Sequence, residues 1–372
     1  MNDLYGLNKK KLGFGLMRLP KTAVGEIDEK RTAAMVDRFL SEGFTYFDTA
    51  YSYPGSEDIF RKTVSSRHDR NEYTIATKLP SGMLAEGKTP EELFQTQLER
   101  TGLEYFDFYL LHAISESNIN IFNKSNAWEF GKRMKAEGKI RHLGFSFHDT
   151  PEMLDRILTE HPEAEFVQLQ INYLDWTSPR VQSCGVYEIA RKHNKPIIIM
   201  EPVKGGILSM LNENLTEPFR KLSDASPASY ALRYVAGLDG ILAILSGMST
   251  EEQLEDNIKT FSPVIPLTEK EKDAIAKVKE AIEELQTIEC TACKYCVPGC
   301  PKKIDIPSIF RMLNDEAVLS DKTKAKTDYA NLIKDGTHGR ASECIKCGKC
   351  EKTCPQKLPI RELLSKAEAK LI

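Results

Sequence analysis

The chain has 372 residues, 41% of them hydrophobic and 28% charged, enough globular material for one large domain and a small one. Its 51 Lys and Arg stand against 54 Asp and Glu, a net charge of -3, so no general field for nucleic acid or an anionic membrane is expected. The start, MNDLYGLNKKKLGFGLM, lacks the apolar core of a secretion signal, and no apolar run reaches the ~18 residues that span a bilayer, so a cytoplasmic protein is expected.

In chain order, apolar and β-branched runs predict eight strands. They are LGFGLMRL (12–19), TYFDTAY (45–51), YTIATKL (73–79), FDFYLLH (106–112), IRHLGFSF (140–147), FVQLQINYL (166–174), PIIIMEPV (196–203) and ILAILSGM (241–248). Polar stretches of helical period lie between them. In DEKRTAAMVDRFLSEG, for instance, Met35, Val36, Phe39 and Leu40 share one face and Gly43 can end the helix. Strands buried on both faces, each followed by a helix, imply a parallel sheet, and eight such units most economically close into a (β/α)8 TIM barrel. An open doubly wound sheet is the rival, but GFGLMRLP runs straight into Pro20 and is no Gly-rich phosphate turn. After the eighth unit, Thr268 and Glu271 form a capping box that opens a helix to about Gln286. There the composition changes to Cys, Lys and Pro. Two domains are expected, 1–286 and 287–372.

Chemistry in such a barrel belongs at the C-terminal ends of strands. Asp48 ends the second run, with Tyr53 five residues on, Lys78 ends the third and His112 the fourth. A Lys inside TIATKL needs a compensating carboxylate, and Asp48 is the natural one. A Tyr beside that ammonium has its phenolate favoured and can trade a proton with a carbonyl oxygen, while His112 orients the carbonyl or shares the proton. Singly, each residue has an ordinary packing, capping or snorkelling role; four correct types at successive strand ends do not reduce to that.

DTAYSYPGSE, IATKLP and YLLH resemble the aldo/keto reductase family, over about residues 10–260. The resemblance implies a barrel reductase in which Tyr53 is the general acid, assisted by Lys78, Asp48 and His112, while NAD(P)H supplies hydride to a small carbonyl substrate. It further implies that Ser146 and Gln170 hold the nicotinamide carboxamide, although the family's Asn position is Phe147 here. Met200 takes the place of the stacking aromatic. In SGMSTEEQLEDN, Gly247 and Gln253 stand where the family carries Lys and Arg, so the cations a 2'-phosphate wants are missing. Ser246, Ser249 and the helix start at Thr250 can still offer donors, and Asp256 and Asn257 fall at the adenine contacts. NADPH is therefore not secured, and NADH, a flavin or another bound cofactor stays open.

Eight of the nine Cys fall in the last 83 residues. Cys290, Cys293, Cys296 and Cys300 form Cys-x2-Cys-x2-Cys-x3-Cys followed by Pro301, and Cys344, Cys347, Cys350 and Cys354 repeat it before Pro355. Three close thiolates can cap three irons of one cube while the fourth serves the other. Cys290, Cys293, Cys296 and Cys354 are thus expected to bind one [4Fe-4S] cluster, and Cys344, Cys347, Cys350 and Cys300 the second. Zinc is the alternative, but a third ligand at this spacing and the Cys-Pro have no role around a tetrahedral ion. The pattern resembles two-cluster ferredoxins, and IPSIFRMLND and DKTKAKTDYANLIKDG between the sets read as helices, so a small, mainly α-helical ferredoxin-like domain is expected. From Glu289 onward, 16 Lys and Arg face 11 Asp and Glu, an excess that partly neutralises cubes carrying about four negative charges in all. A basic tail for nucleic acid fits less well, because no aromatic series accompanies the Lys residues.

Nicotinamide reacts by hydride and a cube by single electrons, so the pair is poorly matched without a converter such as a flavin. The reading adopted is a carbonyl or alcohol oxidoreductase fused to iron-sulfur electron transfer. Its alternatives are a flavin-mediated reductase that the clusters feed from an external electron donor or acceptor protein, and an electron carrier or redox sensor.

Overall fold

The computed structural model describes residues 10–285, 287–319 and 322–372. Residues 1–9, Gln286 and Asp321, on which parts of the leader, domain-boundary and helix expectations fall, lie outside the described residues. The chain forms two compact units, Met1–Pro202 with Ala228–Leu267, and Val203–Pro227 with Thr268–Ile372. Among the described residues no helix is long and apolar enough to cross a membrane.

In the first unit eight parallel strands close into a barrel: β1 (Leu12–Gly15), β2 (Tyr46–Asp48), β3 (Thr74–Pro80), β4 (Phe106–Ile114), β5 (Ile140–Phe147), β6 (Phe166–Gln170), β7 (Ile197–Met200) and β8 (Ile241–Ser246), with β1 pairing both β2 and β8. The expected TIM barrel is present. All eight apolar runs carry a strand, and β5 matches its run residue for residue. β1, β2, β6 and β7 are shorter than their runs, because the downstream residues turn into loops.

Side chains alternate along a strand, so one set faces the surrounding helices and the other fills the barrel. Tyr46, Ala76, Phe108, Leu110, Phe166, Ile198, Ala243 and Leu245 form one buried apolar cluster. The helix Glu29–Ser41 shows how the outer layer is made. Asp28 caps it by accepting the Arg31 N–H, and its buried face is Thr32, Met35, Val36 and Phe39. Phe39 meets Phe14 edge-on at 5.5 Å and Phe47 at 5.3 Å between ring centroids. Gly43, at φ 76°, follows the last turn in the left-handed region that only glycine occupies without strain.

The second unit is helical among its described residues. Both bonds of the expected capping box are made, by Thr268 and Glu271, at the start of the helix Glu269–Glu284. The helices Ile306–Leu319, Lys322–Ile333 and Ile360–Leu371 bury Ile306, Ile309, Phe310, Tyr329, Ile360 and Leu364 in one core, against which Cys290, Cys300, Cys344 and Cys354 pack. Ile288, just before the first Cys set, is pinned by both arms of the Asn314 amide at 2.7 Å.

Candidate functional site

The inward-facing positions of the barrel change character toward the C-terminal ends of the strands. Tyr46 is followed two residues on by Asp48, Ala76 by Lys78, Leu110 by His112, and Phe166 by Gln168 and Gln170. The parallel register sets Asp48 beside Ala76, so Lys78 stands one step higher on the same face. Lys78 is 1% exposed, and its ammonium donates to Asp48 Oδ1 at 2.6 Å and to the Thr49 carbonyl at 2.7 Å. The half-buried Tyr53 brings its hydroxyl to 3.5 Å from the same Nζ. His112 meets the Tyr53 ring edge-on at 5.9 Å. The strands β3 and β4 run past Lys78 and His112 to Pro80 and Ile114, so these two residues sit just inside the rim rather than at the last strand position.

Burial raises the Asp48 carboxyl and lowers the Lys78 ammonium, and their mutual attraction opposes both shifts. Gln168 adds a bond to Asp48 Oδ2 at 3.4 Å. Behind Lys78 lies a buried network that sequence reasoning missed. Glu57 accepts from Thr77 at 2.8 Å and from Gln97 at 2.9 Å, and Gln97 accepts from the Tyr109 hydroxyl at 2.7 Å and donates to the Lys78 carbonyl at 3.1 Å. Glu57 belongs to DTAYSYPGSE and Gln168 lies two residues before Gln170 on one strand face, so both carried a usable signal; Gln97, on the helix Pro90–Thr101, carried none beyond its helical face.

Burial pushes the His112 imidazole well below its usual 6.5, and the nearby Lys78 and His148 add to this. A depressed folded-state value means that the unfolded chain takes up the proton first, so this contribution to stability is full above pH 6.5 and is lost as pH falls. We expect His112→Gln to flatten the fall of barrel stability between pH 6.5 and about 5, by up to about 1.4 kcal/mol per pH unit. Thermal melts of both proteins across that range check it.

The residues expected at the cofactor bond largely among themselves. A register shift follows Leu111, Ala113 adopts φ 55°, and its N–H donates to Ser146 Oγ at 2.7 Å, so Ser146 steadies the turn after His112. Gln170 donates to Asp175 at 2.7 Å, and Met200 packs partly buried against the barrel interior. Phe147 is buried and meets Phe145 edge-on at 6.2 Å. Asn257 donates to Ser246 Oγ at 2.8 Å, and the Ser249 N–H donates to Gln253 at 2.7 Å. Ser249 Oγ donates to the Arg18 carbonyl at 2.8 Å, while the Arg18 side chain lies against Gly247 and faces Glu201 at 3.6 Å. Asp256 lies one turn into the helix Glu251–Thr260, whose first turn carries Glu251 and Glu252. Ser249 is thus engaged through both its N–H and its hydroxyl, and carboxylates stand at the helix start.

The Cys sets fit iron-sulfur cubes well. Cys290, Cys293, Cys296 and Cys354 line one recess, and Cys300, Cys344, Cys347 and Cys350 line another. The fourth Cys of each run thus stands with the first three of the other. Backbone conformation repeats with the sequence. Ala292, Lys294 and Lys303 have positive φ, as have Lys346, Gly348 and Lys357 at the matching places of the second run. Left-handed residues in such loops are a common way to form backbone N–H concavities that receive anions. Among the described residues no three His, Cys, Asp or Glu converge closely enough for one metal ion.

The chain matches the model of the aldo/keto reductase family over residues 11–280 and that of a 4Fe-4S dicluster domain over residues 289–358. An aldo-keto reductase from Strobilurus tenacellus is 25% identical over 315 residues, 73% of this chain and 89% of its own length. The 9,11-endoperoxide prostaglandin H2 reductase of Trypanosoma cruzi is 24% identical over 268 residues, 71% and 89% of the two chains. Among solved structures, an aldo-keto reductase from Klebsiella pneumoniae in complex with NADPH shares the fold with a TM-score of 0.59 and 18% identity, covering 72% of this chain and 90% of that one. With the barrel, its strand-end residues and this coverage in hand, the chain is an oxidoreductase that belongs to the aldo/keto reductase family and carries a 4Fe-4S dicluster domain.

Proposed function

We propose that the barrel reduces a small carbonyl compound, or oxidises its alcohol, with Tyr53 as general acid and base. The observation that carries this is the placement of one buried ammonium, Lys78 Nζ, between Asp48 at 2.6 Å and the Tyr53 hydroxyl at 3.5 Å. In the reducing direction Tyr53 releases its proton to the carbonyl oxygen, and the Lys78 charge stabilises the phenolate left behind. Asp48 keeps Lys78 in register. Neutral His112 orients the carbonyl oxygen from beside the phenol. A nicotinamide, when bound, would supply a hydride, which together with the Tyr53 proton would convert carbonyl to alcohol. Ser146, Gln170 and Met200 would hold its ring, since a hydroxyl that accepts one bond retains a proton to donate.

Ser246, Ser249, Gln253, Asp256 and Asn257 would face the adenosine end. The loop itself carries neither of the two cations, and of the nearby ones Arg18 faces Glu201 at 3.6 Å and Arg31 bonds Glu251 at 2.6 Å. NADH and NADPH are therefore expected to give kcat/KM values within about tenfold of each other with a test aldehyde. A preference for NADPH beyond a hundredfold would refute this part of the reading. The same internally bonded loop supports a second reading, in which a flavin accepts single electrons and the clusters feed it. An absorption spectrum of the cofactors released by acid from anaerobically purified protein decides between the two, a flavin band favouring the second.

In the C-terminal region, Cys290, Cys293, Cys296 and Cys354 would hold one [4Fe-4S] cube, and Cys344, Cys347, Cys350 and Cys300 the other. Such cubes supply one-electron transfer. Residues 1–286 and 287–372 are proposed as the reductase and iron-sulfur domains, acting in the cytoplasm.

A further inference from the structure

The two recesses differ in their surroundings. The one at Cys290 is lined by Ile306, Phe310, Leu358 and Ile360, with Lys294 its only charged residue. The one at Cys344 takes Lys302, Lys349 and Arg361 into its lining together with Ile345. Cys347 is exposed there, whereas no Cys of the first recess is. Ile345, between the ligand positions Cys344 and Cys347, is 58% exposed. Lys302, Lys303, Lys346, Lys349 and Lys352 are all exposed, and none forms an ion pair among the described residues. Nearby carboxylates are occupied: Glu351 bonds Arg361 at 2.8 Å, Glu362 bonds Lys366 at 2.6 Å, and Glu343 accepts the Arg340 N–H at 2.8 Å.

Neutralising a cube does not account for this arrangement. An oxidised cube with four thiolates carries about two negative charges, the same at both sites, yet Lys302, Lys349 and Arg361 line the second recess where Lys294 alone does so at the first. An exposed apolar residue beside an exposed ligand, inside a cationic rim, has the anatomy of a docking patch with an apolar centre and a charged edge.

Resting on the reading that Cys300, Cys344, Cys347 and Cys350 hold a cube, we propose that this face docks a small, strongly acidic one-electron carrier protein. Carboxylates of the carrier meet Lys302, Lys303, Lys346, Lys349 and Lys352, and Ile345 makes the central apolar contact. The carrier is oxidised by one electron, the group held at this site is reduced by one, and no bond or proton is exchanged. Attraction between exposed charges steers the encounter and leaves the complex short-lived, as repeated delivery of single electrons requires.

The test uses the full chain purified without oxygen and an oxidised plant-type [2Fe-2S] ferredoxin as the acidic probe, with affinity read by calorimetry and iron counted in every sample. The wild-type affinity is expected to fall at least about tenfold between roughly 0.02 and 0.2 M salt. Lys346→Glu with Lys349→Glu, and separately Lys302→Glu with Lys303→Glu, weaken binding about tenfold or more, while Lys270→Glu with Lys277→Glu on the helix Glu269–Glu284 leaves it within about twofold. Unchanged binding in both patch variants at full iron content overturns the docking face and spares the cluster assignment. A wild-type chain without iron overturns the assignment and the docking face with it. A DNA duplex or anionic vesicles bound as tightly through the same lysines would show a general polyanion surface and also refute the proposal.

Discussion

Tyr53→Phe lowers kcat for carbonyl reduction by about 10²- to 10⁴-fold, equivalent to about 3–5 kcal/mol of barrier. The variant removes one oxygen atom and retains the ring that meets His112 edge-on at 5.9 Å. Tyr53 is half-buried, so no sealed polar network collapses with it. Lys78→Met is a less clean probe. It leaves the Asp48 carboxylate buried without its partner, a change that costs about 3–5 kcal/mol of stability in comparable pairs and entangles folding with catalysis. The expected signature of Tyr53→Phe is a drop in kcat with little change in KM and an unchanged melting temperature, because the phenolic proton is transferred only in the transition state. Full activity in this variant would remove Tyr53 from the proton path and leave the Lys78–Asp48 pair as a structural ion pair.

How far this site could be read in the sequence depends on which interactions are local. Asp48, Lys78 and His112 stood out because each is a polar residue near the end of an apolar strand, where alternation along β2, β3 and β4 directs them to one face, and Tyr53 because it follows five residues after Asp48. The barrel was legible for the same reason: eight apolar runs, each followed by a helical stretch, leave few ways to bury every strand. The Glu57–Gln97–Tyr109 network was not legible, since it joins a loop helix, a longer helix and a strand through side chains that no period connects. Nor was the pairing of Arg18 with Glu201, which depends on the loop after β1 lying against Gly247. In the second unit, Cys spacing announced the candidate ligands, whereas the grouping of Val203–Pro227 with the C-terminal residues is a long-range arrangement with no sequence motif. Gly205 marks it after the fact: a Cβ there would come within 2.6 Å of the Thr291 backbone.

The crossed arrangement of the Cys runs predicts which substitutions act on the same cluster. Cys290→Ala and Cys354→Ala, far apart in sequence, line one recess and should perturb the same electron paramagnetic resonance signal. Cys344→Ala and Cys300→Ala should perturb the other. Each single variant is expected to lower iron from about eight to about four per chain, or to about seven where a cube survives with one corner lost. The combinations separate crossed from uncrossed ligation. Cys290→Ala with Cys354→Ala should be little worse than either alone, because both act on one cube, whereas Cys290→Ala with Cys344→Ala should abolish both signals. Uncrossed ligation reverses the case, with Cys290→Ala and Cys300→Ala sharing a signal. Stability should follow iron. Cys296 and Cys350 are buried within the apolar core that also holds Ile309, Phe310 and Leu364, and burial together with Cys293, Cys290 and Cys354 pushes the Cys296 thiol up. A core this small, with thiols crowded inside it, depends on the metal to hold its loops. Iron chelation is therefore expected to unfold the helices Ile306–Leu319 and Ile360–Leu371 at a temperature where the barrel strands still resist hydrogen exchange, and equal loss of protection in β1–β8 and in these helices would contradict it.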